Sequence, residues 1–586
     1  KKRFYILWLL LLSIAIEAYP QSKTISGGND HGLIICAQGY LYTWGNNFSD
    51  VIGGPLLGID PDVPGNTPDA KVVYSPQRVK TGNLTFSMVT SGSGAFNLAL
   101  SCHNVVYAWG EDSQHGCGQG ANTASAVVKY PVPVLKGETP GYTEDGQPGG
   151  DYLGGVTYIA ASTNSGFAIM DDGRVVGWGN GSWNPNTGAA AAVPAYIKDK
   201  AGNDLQNITH ISGGDDNCLL RDADGNLYGI GPWNGSGRNV TTTYAVPVVM
   251  EETGEPLKDI RMSAAGDVCG FAVTGDGYVW SWGNGGWGGS TGQSKSGLTH
   301  YGALRVCSGE YETISGEEYL TDVKEVIGGR GHGAAVTKEG YLVYWGCNDD
   351  NGGVAPATNI PADYKSGAQG VKPILARYCD ASGKPGELVK DAVSISRGDN
   401  FDFMVNDKDE FYVWGLNDLG QTGTGDKSVE TYNCLIKLET IPCEIQDGCP
   451  EVFMIDRLKC PGEMIELDCG FVIPKGKEDR YYVQWFLNDE LLNTSKFVLS
   501  NQGTPAYDKS YDSDPYNKAA IEITEPGRYK VIVYYVGVNI PCDACDPDSI
   551  EIEVTDMNMP IDTIVTTMNC VAEPLKPTSS DNICFE

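Results

Sequence analysis

The sequence contains few of the residues and motifs on which most enzyme mechanisms depend. It has six histidines in 586 residues. It also lacks a phosphate-binding glycine loop leading into a helix, an HExxH motif and a nucleophile elbow. Carboxylates are abundant, but most of them fall in turns and acidic loops. These absences favour a protein that is not an enzyme and that uses no cofactor.

Positive charge is also scarce. Lys and Arg number 41 against 74 for Asp and Glu, so the formal net charge is −33. A surface of this charge repels phosphate backbones and anionic lipids. We therefore expect no nucleic acid among the partners.

Long apolar runs are missing after the first residues. The chain opens with KKRF followed by YILWLLLLSIAIEA. The apolar stretch is about 13 residues long, which suits the core of a signal peptide and is too short for a spanning helix. We interpret residues 1–18 as a signal peptide cleaved after Ala18, and expect a secreted or cell-surface protein without membrane insertion after cleavage. Because no Met comes first, we expect the chain to begin just inside its reading frame.

Cysteine is too sparse for a fold built on disulfides, and its count of 17 is odd. Cysteines of the linker and the following domain are expected to form disulfides: Cys434, Cys443, Cys449, Cys460, Cys469, Cys542 and Cys545. Three others lie in or beside apolar strands and are expected to be buried thiols: Cys36, Cys218 and Cys269.

Two short motifs resemble parts of metal sites. The pair Cys542 and Cys545 has zinc-ligand spacing, and the segment from Asp222 to Asn226 resembles half of a calcium loop. Neither has a complete set of ligands nearby in the sequence. A disulfide or loop explains the first better, and a hairpin turn explains the second, so no metal is predicted.

What the sequence does have is a motif repeated seven times. The copies read GYLYTWG from Gly39, NVVYAWG from Asn104, GRVVGWG from Gly173, GNLYGIG from Gly225, GYVWSWG from Gly277, GYLVYWG from Gly340 and DEFYVWG from Asp409. Self-similarity at intervals of about 50 to 70 residues indicates a radial or solenoid array.

Each copy predicts a β-hairpin inside a four-stranded unit. Its first residue is Gly, Asn or Asp, the residues that best tolerate positive φ, and three copies have the Asp-Gly pair typical of tight hairpins. Two short segments precede each turn, the first ending in small residues, and a fourth segment often follows a proline. Seven such units predict a seven-bladed β-propeller.

The segments GGRGHGAAVTKEGYLVYWG from Gly328 and WGLNDLGQTGTG from Trp414 resemble the RCC1-like propeller family. The resemblance covers residues 22–438 and implies an all-β, seven-bladed propeller. The family histidine is present only as His31 and His332, which suggests a packing position that accepts many residue types. A spare strand at residues 432–438 is expected to pair into the first blade and close the ring.

A different pattern follows a linker at residues 439–450. Within residues 451–556, the segments EMIELDC, YYVQWFLNDELL and GRYKVIVYYV resemble the B, C and F strands of an immunoglobulin-like β-sandwich, with Trp485 in its core. No cysteine stands two residues after Tyr529, so the inter-sheet disulfide of antibody domains is expected to be absent. Residues 557–586 are expected to be a linker or the start of a further module.

The order of these parts resembles surface or secreted proteins of Bacteroidota-type bacteria, although seven Asn-x-Ser/Thr sequons leave a eukaryotic secreted origin open. The leading hypothesis is a non-enzymatic binding or adhesion module that binds an extracellular or cell-surface protein or glycan through the loop face of the propeller. The alternative is a secreted carbohydrate-active enzyme, lyase-like, that uses loop carboxylates. Export argues against a third class, the GTPase exchange factor, which is the role of the best-known family member.

Three tryptophans are the candidate ligand-binding residues. Trp183, Trp233 and Trp287 follow at equivalent points of three consecutive copies, in loops rich in Gly and Asn. On one face of adjacent blades they can form an aromatic platform for sugar rings or a protein hot spot. Alternatively, each ring fills a gap between blades, and the sequence leaves both open. No catalytic or metal-binding residue is predicted.

Overall fold

The computed structural model describes residues 24–441, except 37–38, 50–52, 93, 121–126, 181–190, 216, 232–236, 268, 285–290, 294–298, 347–355 and 357–372. From residue 457 onward it describes 457–459, 465–473, 481–488, 490–492, 497–499, 505–507, 517–523, 525–535 and 548–556. The predicted signal peptide, the linker after residue 441 and residues 557–586 lie outside these ranges.

The first of these regions is a seven-bladed propeller, as predicted. Each blade has four antiparallel strands that pair in chain order, from an inner first strand to an outer fourth strand. The blades are, in turn, Ile25–Gly27, His31–Ile35, Leu41–Asn46, Val72–Arg78; Phe86–Ser91, Phe96–Ser101, Val106–Glu111, Val127–Pro133; Val156–Ala161, Ser165–Met170, Val175–Gly179, Ala191–Tyr196; Ile208–Gly213, Cys218–Asp222, Leu227–Gly231, Thr242–Pro247; Ile260–Ala265, Cys269–Thr274, Val279–Asn284, Thr299–Arg305; Val323–Gly328, His332–Thr337, Leu342–Gly346, Ile374–Leu375; Ala392–Arg397, Phe401–Asn406, Phe411–Leu416, Thr431–Lys437.

Three insertions interrupt this repeat. Strands Gly141–Tyr142 and Tyr152–Leu153 form a ribbon between blades 2 and 3, while a 3-10 turn at Gly309–Tyr311 and a short α-helix at Glu312–Ser315 lie between blades 5 and 6. Between blades 6 and 7, strands Arg377–Cys379 and Pro385–Leu388 extend the sheet of blade 7 to six strands. No helix among the described residues has the length and hydrophobicity needed to cross a bilayer.

The residue that opens each repeated motif has a positive φ in all seven blades, as the hairpin prediction requires. The values are 79° at Gly39, 58° at Asn104, 75° at Gly173, 73° at Gly225, 86° at Gly277, 83° at Gly340 and 61° at Asp409. Side chains with a Cβ rarely adopt this conformation, which explains why Gly, Asn and Asp occupy the position.

The aromatic-glycine pair at the end of each motif has a packing reason. All six tryptophans of the motif, and Ile230 in blade 4, are fully buried. The glycine that follows lies against the loop between the first and second strands: a Cβ on Gly45, whose φ is 104°, would be 2.3 Å from the carbonyl oxygen of Asp30. The pair therefore combines a core residue with a position where no side chain fits.

The prediction of ring closure was wrong. Strand Thr431–Lys437 pairs with Phe411–Leu416 in its own blade and not with the first blade. Blade 1 already has four strands of its own, since Val72–Arg78 is its outer strand. Blades 7 and 1 meet instead through hydrogen bonds such as Asp399 N to Gly28 O at 3.1 Å, between inner loops, and Gly425 N to Tyr74 O at 2.7 Å, from a loop of blade 7 to the outer strand of blade 1.

The cysteine predictions are partly corrected. Cys218 and Cys269 are buried thiols outside any disulfide, as expected, and so is Cys117. Cys36 was expected to be a thiol, but it is disulfide-bonded, because an adjoining strand does not prevent a cysteine at the strand end from reaching a partner. Cys434 forms a disulfide with Cys379, which holds the insertion before blade 7 against that blade's outer strand.

The second region is also all-β. One sheet has the strand order Arg457–Lys459, Asp548–Asp556, Gly527–Tyr535, Tyr481–Leu487, Glu490–Leu491, and Ile465–Ile473 pairs separately with Asn517–Ile523. Phe497–Leu499 pairs with Pro505–Tyr507. Trp485 is 2% exposed, and Tyr529, which is equally buried, donates a hydrogen bond from its hydroxyl to the carbonyl of Glu525 at 2.7 Å.

Candidate binding face and the mouth of the propeller

Two sets of loops emerge at one end of the propeller. Because the four strands of a blade alternate in direction, the loop between its first and second strands and the loop after its third strand share an end. Hydrogen bonds join the two sets: Asn46 N donates to Asp30 O at 2.8 Å, and Asn180 N donates to Asn164 O at 2.9 Å. We call this end the binding face.

The three predicted tryptophans fall in the second set of loops. The third strands that precede them end at Gly179, Gly231 and Asn284, in blades 3, 4 and 5. Trp183, Trp233 and Trp287 themselves lie outside the described residues. Their role as a ligand platform therefore stays a prediction, and so does the gap-filling alternative.

The inner loops of the binding face are bonded to one another around the axis. Backbone N–H groups donate from blade to blade, as in Thr163 to Gly214 at 3.2 Å, Asp267 to Gly329 at 3.3 Å and Arg330 to Asp399 at 3.3 Å. The contact from Asp399 to Gly28 continues the same pattern from blade 7 to blade 1. Close approach of the backbones explains why six of the seven first strands end in Gly, Ser or Ala, whereas that of blade 7 ends in Arg397.

Charged side chains collect on these loops. We call the mouth the set Asp30, Asp267, Arg330, Arg397, Asp399 and Asp418, which come from blades 1, 5, 6 and 7. Arg397 Nη1 donates to the carbonyls of Ala265 and Gly328, both at 2.8 Å, so this side chain reaches past blade 6 to blade 5.

Two ion pairs cross between blades in the mouth. Arg397 Nη2 lies 3.8 Å from Asp267 Oδ1, and Arg330 Nη1 lies 3.5 Å from Asp399 Oδ2. Four carboxylates face two guanidinium groups in the whole set. The mouth therefore has an excess of negative charge when every group is ionised.

Burial and like charge shift two of these carboxyl groups. Burial, reinforced by the nearby charge of Asp418, raises the pKa of Asp30 to about 6. Burial, reinforced by Asp267, raises the pKa of Asp399 to about 7, although Arg330 and Arg397 oppose the shift. With these pKa values, both groups gain or lose protons close to neutral pH. Carboxyl groups with shifted pKa values of this kind cluster at functional sites.

The two family histidines are not part of a reactive site. His31 is 3% exposed and His332 is fully buried. His31 Nε2 lies 2.6 Å from Asn97 Oδ1 in blade 2, and His332 Nε2 lies 2.8 Å from Asp402 Oδ2 in blade 7. Each histidine therefore joins its blade to the next one, which agrees with the predicted packing role.

The partners explain why only two histidines are present. Asn97 and Asp402 occupy a position that is glycine in blades 1, 3, 5 and 6, where the motif tryptophan of the same blade packs against it. A Cβ added to Gly166, for example, would be 2.3 Å from the ring of Trp178. In this chain the histidine occurs only where the following blade supplies a side chain that can bond to it.

The proposed turn at Asp222 is also observed. Asp222 Oδ1 accepts hydrogen bonds from the backbone N–H groups of Asp224 at 3.1 Å and Asn226 at 2.8 Å. The carboxylate is therefore engaged by its own hairpin. Cys542 and Cys545 lie outside the described residues. Among the residues that are described, no His, Cys, Asp and Glu side chains form a group of three that could hold a metal.

Sequence reasoning missed the mouth, although the repeat contained a signal for it. When the copies are aligned at the loop between the first two strands, Gly-Asn-Asp at Gly28, Gly-Asp-Asp at Gly214, Gly-Asp at Gly266 and Gly-Asp-Asn at Gly398 coincide. Aspartate recurs there in four of seven blades. The two arginines carry no such periodic signal.

Comparison with known proteins supports the propeller. A family model described as "Regulator of chromosome condensation (RCC1) repeat" matches residues 23–50. The protein pim1 of Schizosaccharomyces pombe is 24% identical over 264 residues, which is 42% of this chain and 44% of pim1. The chain thus spans less than half the length of that relative.

Two further proteins match over longer stretches. The ultraviolet-B receptor UVR8 of Arabidopsis thaliana is 24% identical over 411 residues, covering 69% of this chain and 78% of UVR8. The crystal structure of Prp20p from Saccharomyces cerevisiae aligns with 72% of this chain and 88% of Prp20p, with a TM-score of 0.50 and 19% identity. At this identity, the structural similarity shows the fold alone.

Proposed function

Since the chain folds as an RCC1-like seven-bladed propeller, we propose that it is an exported, non-enzymatic binding or adhesion module. Its binding face takes a protein or a glycan at or outside the cell surface. The observation that carries this proposal is the convergence of two loop sets from seven blades on one end, around a charged mouth. Propellers of this kind present a broad face assembled from many loops.

Disulfides support export. Cys379 and Cys434 are bonded to each other, and Cys36, Cys102 and Cys307 are also disulfide-bonded. All five lie within the propeller. Disulfides persist in oxidising compartments and are rare in the cytosol and nucleus. A secreted or surface location suits this chain better than the nuclear location of an exchange factor.

We propose that the second region is a spacer domain that holds the propeller away from the cell surface. We assign it as an immunoglobulin-like β-sandwich, because buried Trp485 lies on the strand next to Gly527–Tyr535, and the Tyr529 hydroxyl bonds back to Glu525. Both features are typical of such sandwiches. A propeller followed by a sandwich also agrees with the resemblance to surface or secreted proteins of Bacteroidota-type bacteria.

One observation favours the lyase-like alternative. Such an enzyme needs carboxyl groups of shifted pKa beside a basic group, and Asp399, whose pKa is raised, lies 3.5 Å from the guanidinium group of Arg330. Two facts make it the weaker proposal. Asp399 is only 3% exposed, and Arg397 is engaged by two backbone carbonyls. These groups join blades together, so little of them is left for a substrate.

The test uses the full secreted chain in a screen against immobilised glycans and cell-surface proteins. We expect a ligand whose binding falls when Trp183, Trp233 and Trp287 are replaced together by Ala, with a melting temperature close to that of the parent chain. Trp485→Ala is the control, since it removes a buried ring outside the propeller and should leave binding unchanged.

Two results would count against the proposal. Cleavage of an acidic polysaccharide with formation of an unsaturated product, lost in Asp30→Asn, would favour the lyase. A triple variant that loses stability but keeps its binding would make the three tryptophans packing residues.

A further inference from the structure

A cation occupies one equivalent place in four blades, at the end of the propeller opposite the binding face. There, the residue after the turn of the repeated motif meets a residue of the fourth strand. The pairs are Tyr40 with Arg78 in blade 1, Arg174 with Tyr196 in blade 3, Tyr278 with Arg305 in blade 5 and Glu410 with Lys437 in blade 7.

Three of these cations have an acceptor within the protein. The bonds join Arg78 Nη2 to Gly82 O at 3.4 Å, Arg174 Nη2 to Asp172 Oδ2 at 2.7 Å and Lys437 Nζ to Glu410 Oε1 at 3.0 Å. Arg305 is the exception. Its Nε atom is buried without an acceptor among the described residues, and no carboxylate in that part of the chain forms an ion pair with its guanidinium group.

Aromatic rings surround Arg305 instead. The central guanidinium carbon lies 4.3 Å from the ring centroid of Tyr278, 5.3 Å from that of Trp280 and 5.7 Å from that of Tyr319. Trp280 is paired with Arg305 across the third and fourth strands, and Tyr319 comes from the insertion after blade 5, where it forms a bridge with Cys307. We call Tyr278, Trp280, Arg305 and Tyr319 the aromatic cage.

The cage lacks an acceptor for two hydrogen-bond donors. Trp280 Nε1, like Arg305 Nε, is buried without an acceptor in the described part of the chain. Buried N–H groups are nearly always paired, and the aromatic rings orient the cation but offer its N–H groups no lone pair in their plane. Tyr278, Trp280 and Arg305 each keep part of their surface exposed. An acceptor from outside the protein can therefore reach the cage.

We propose that the aromatic cage binds the carboxylate of an acidic sugar, such as a uronic acid residue. The planar guanidinium group of Arg305 suits a carboxylate, which it can bind through two parallel hydrogen bonds. The indole N–H of Trp280 is a second donor, for the carboxylate or for a neighbouring hydroxyl. Tyrosine and tryptophan rings offer apolar area beside these donors, against which the face of a sugar ring can pack.

Charge favours a sugar over an acidic protein segment. Glu317 and Glu318 directly precede Tyr319 and are exposed, and the whole chain has a net charge of −33. This charge repels a ligand with several negative groups more strongly than a ligand with one. Ionised carboxylates accept hydrogen bonds and donate none, so sugar hydroxyls suit them as donors, whereas an Asp or Glu side chain offers none. The site lies away from the binding face and goes beyond the proposed function.

The experiment titrates the full chain with methyl β-D-glucuronide, followed by ligand-observed NMR at physiological salt. We expect a dissociation constant on the order of 1 mM, which is ordinary for a ligand of this size. Methyl β-D-glucoside has the same ring with an uncharged group in place of the carboxylate. It should bind at least about tenfold more weakly, because it cannot form the charge-assisted bonds to Arg305.

Variants locate the binding within the chain. Arg305→Gln should weaken glucuronide binding by about tenfold, and Arg305→Lys, which keeps the charge but loses the planar fork, by about threefold. Trp280→Phe keeps an aromatic ring, removes the N–H donor and should cost about threefold. Arg78→Gln is the matched control, since Arg78 has the equivalent place in blade 1 and already has an acceptor. It should change the affinity by less than about twofold.

Melting temperatures show which variants are folded, and Arg305→Lys carries the test if Arg305→Gln does not fold. No binding of the glucuronide, equal binding of glucuronide and glucoside, or equal losses in the Arg305 and Arg78 variants would overturn the proposal. N-acetyl-glutamate amide that binds as tightly as the glucuronide, and is lost in Arg305→Gln, would make the cage a site for a protein carboxylate and overturn the assignment to a sugar. A ligand from the surface screen whose binding ignores Arg305→Gln would leave the proposed function intact.

Discussion

Neighbouring blades meet at junctions of two kinds, which differ in the side chain that makes the hydrogen bond from one blade to the other. At junctions 2–3 and 7–1 the later blade has glycine beside its tryptophan, and the indole N–H donates to the earlier blade: Trp178 Nε1 to Gly116 O and Trp44 Nε1 to Gln421 O, both at 2.8 Å. At junctions 1–2 and 6–7 a histidine bonds to Asn97 or Asp402 instead.

The tryptophans at the histidine junctions confirm the exchange. Trp109 Nε1 and Trp414 Nε1 are buried without an acceptor among the described residues. A side chain in place of glycine thus accompanies a new bond between blades, and the described residues supply no acceptor to the indole N–H of the same blade. The departures from the repeat are therefore paired: a histidine in one blade goes with a polar residue in the next.

The largest effect is expected when a side chain is placed at the glycine position beside the motif tryptophan. In Gly166→Ala the added Cβ would lie 2.3 Å from the ring of Trp178. Overpacking of a buried aromatic should lower the free energy of unfolding by about 3 kcal/mol. Gly386→Ala is the control, since its Cβ would have no contact shorter than 3.4 Å. Chemical denaturation of both variants measures the difference. A Gly166→Ala variant with the same free energy of unfolding as the parent chain would refute the packing explanation.

The next effect compares the two histidine junctions. His332→Ala should destabilise the chain by about 3 kcal/mol, because it leaves the fully buried Asp402 without its partner. His31→Ala should cost less, about 1 to 2 kcal/mol, because Asn97 is neutral. Adding Asp402→Gly to His332→Ala converts junction 6–7 to the glycine type and should recover part of the loss. A double variant no more stable than His332→Ala would contradict the exchange.

A smaller effect should appear on acidification. Burial lowers the pKa of His31 from 6.5 to about 4. Because its pKa is depressed in the folded state, His31 is neutral there and takes up a proton on unfolding. Its contribution to the free energy of unfolding is therefore fully present above pH 6.5 and is lost as the pH falls toward 4. Between pH 6.5 and 4.5 the parent chain should lose about 2 kcal/mol more than His31→Gln, which cannot titrate.

Comparison with the variant is needed because the mouth acts in the opposite direction. Asp30 and Asp399 have a raised folded pKa, so they stabilise the fold as the pH falls through about 6 and about 7. Measuring the parent chain alone would combine both contributions. A parent chain and His31→Gln with the same pH dependence would show that His31 is not the titrating group.

The smallest net effect is expected for a double variant in blade 4, where both partners have changed. Ile230 stands in place of tryptophan and Cys218 in place of glycine, and the two are paired across strands. Ile230→Trp alone should destabilise by about 2 kcal/mol through overpacking, and Cys218→Gly added to it should bring stability back to within about 1 kcal/mol of the parent. Thermal melts of the three chains check this. If the effects of Ile230→Trp and Cys218→Gly on stability simply add, the two positions are not coupled and this explanation is wrong.

The hairpins were predictable because their cause is local. Positive φ at Gly39 or Gly340 depends on the residue itself and its turn, so the sequence reports it directly. Ring closure was not predictable in the same way. The outer strand at Val72–Arg78 lies far from its hairpin in sequence, and an apparent shortage of strands in blade 1 suggested a shared strand that the structure does not use.

The candidate site was less predictable than the fold. Trp183, Trp233 and Trp287 were chosen because they stand out in Gly-rich loops, and their loops begin on the binding face. Asp30 and Asp399 did not stand out, since an aspartate in a loop is ordinary. Their importance comes from neighbours that are distant in sequence, such as Asp267 and Arg330, and from burial that no local pattern reports.

The number of blades, the position of each hairpin and the aromatic-glycine pairs can be read from the sequence alone, because they follow from backbone conformation and burial repeated seven times. Which residues meet across blades depends on the tertiary structure. It placed His332 against Asp402, closed blade 7 onto blade 1 through loops, and gathered the charges of four blades at the mouth. Contacts of this kind depend on how the blades pack around the axis, and the repeat does not encode that packing.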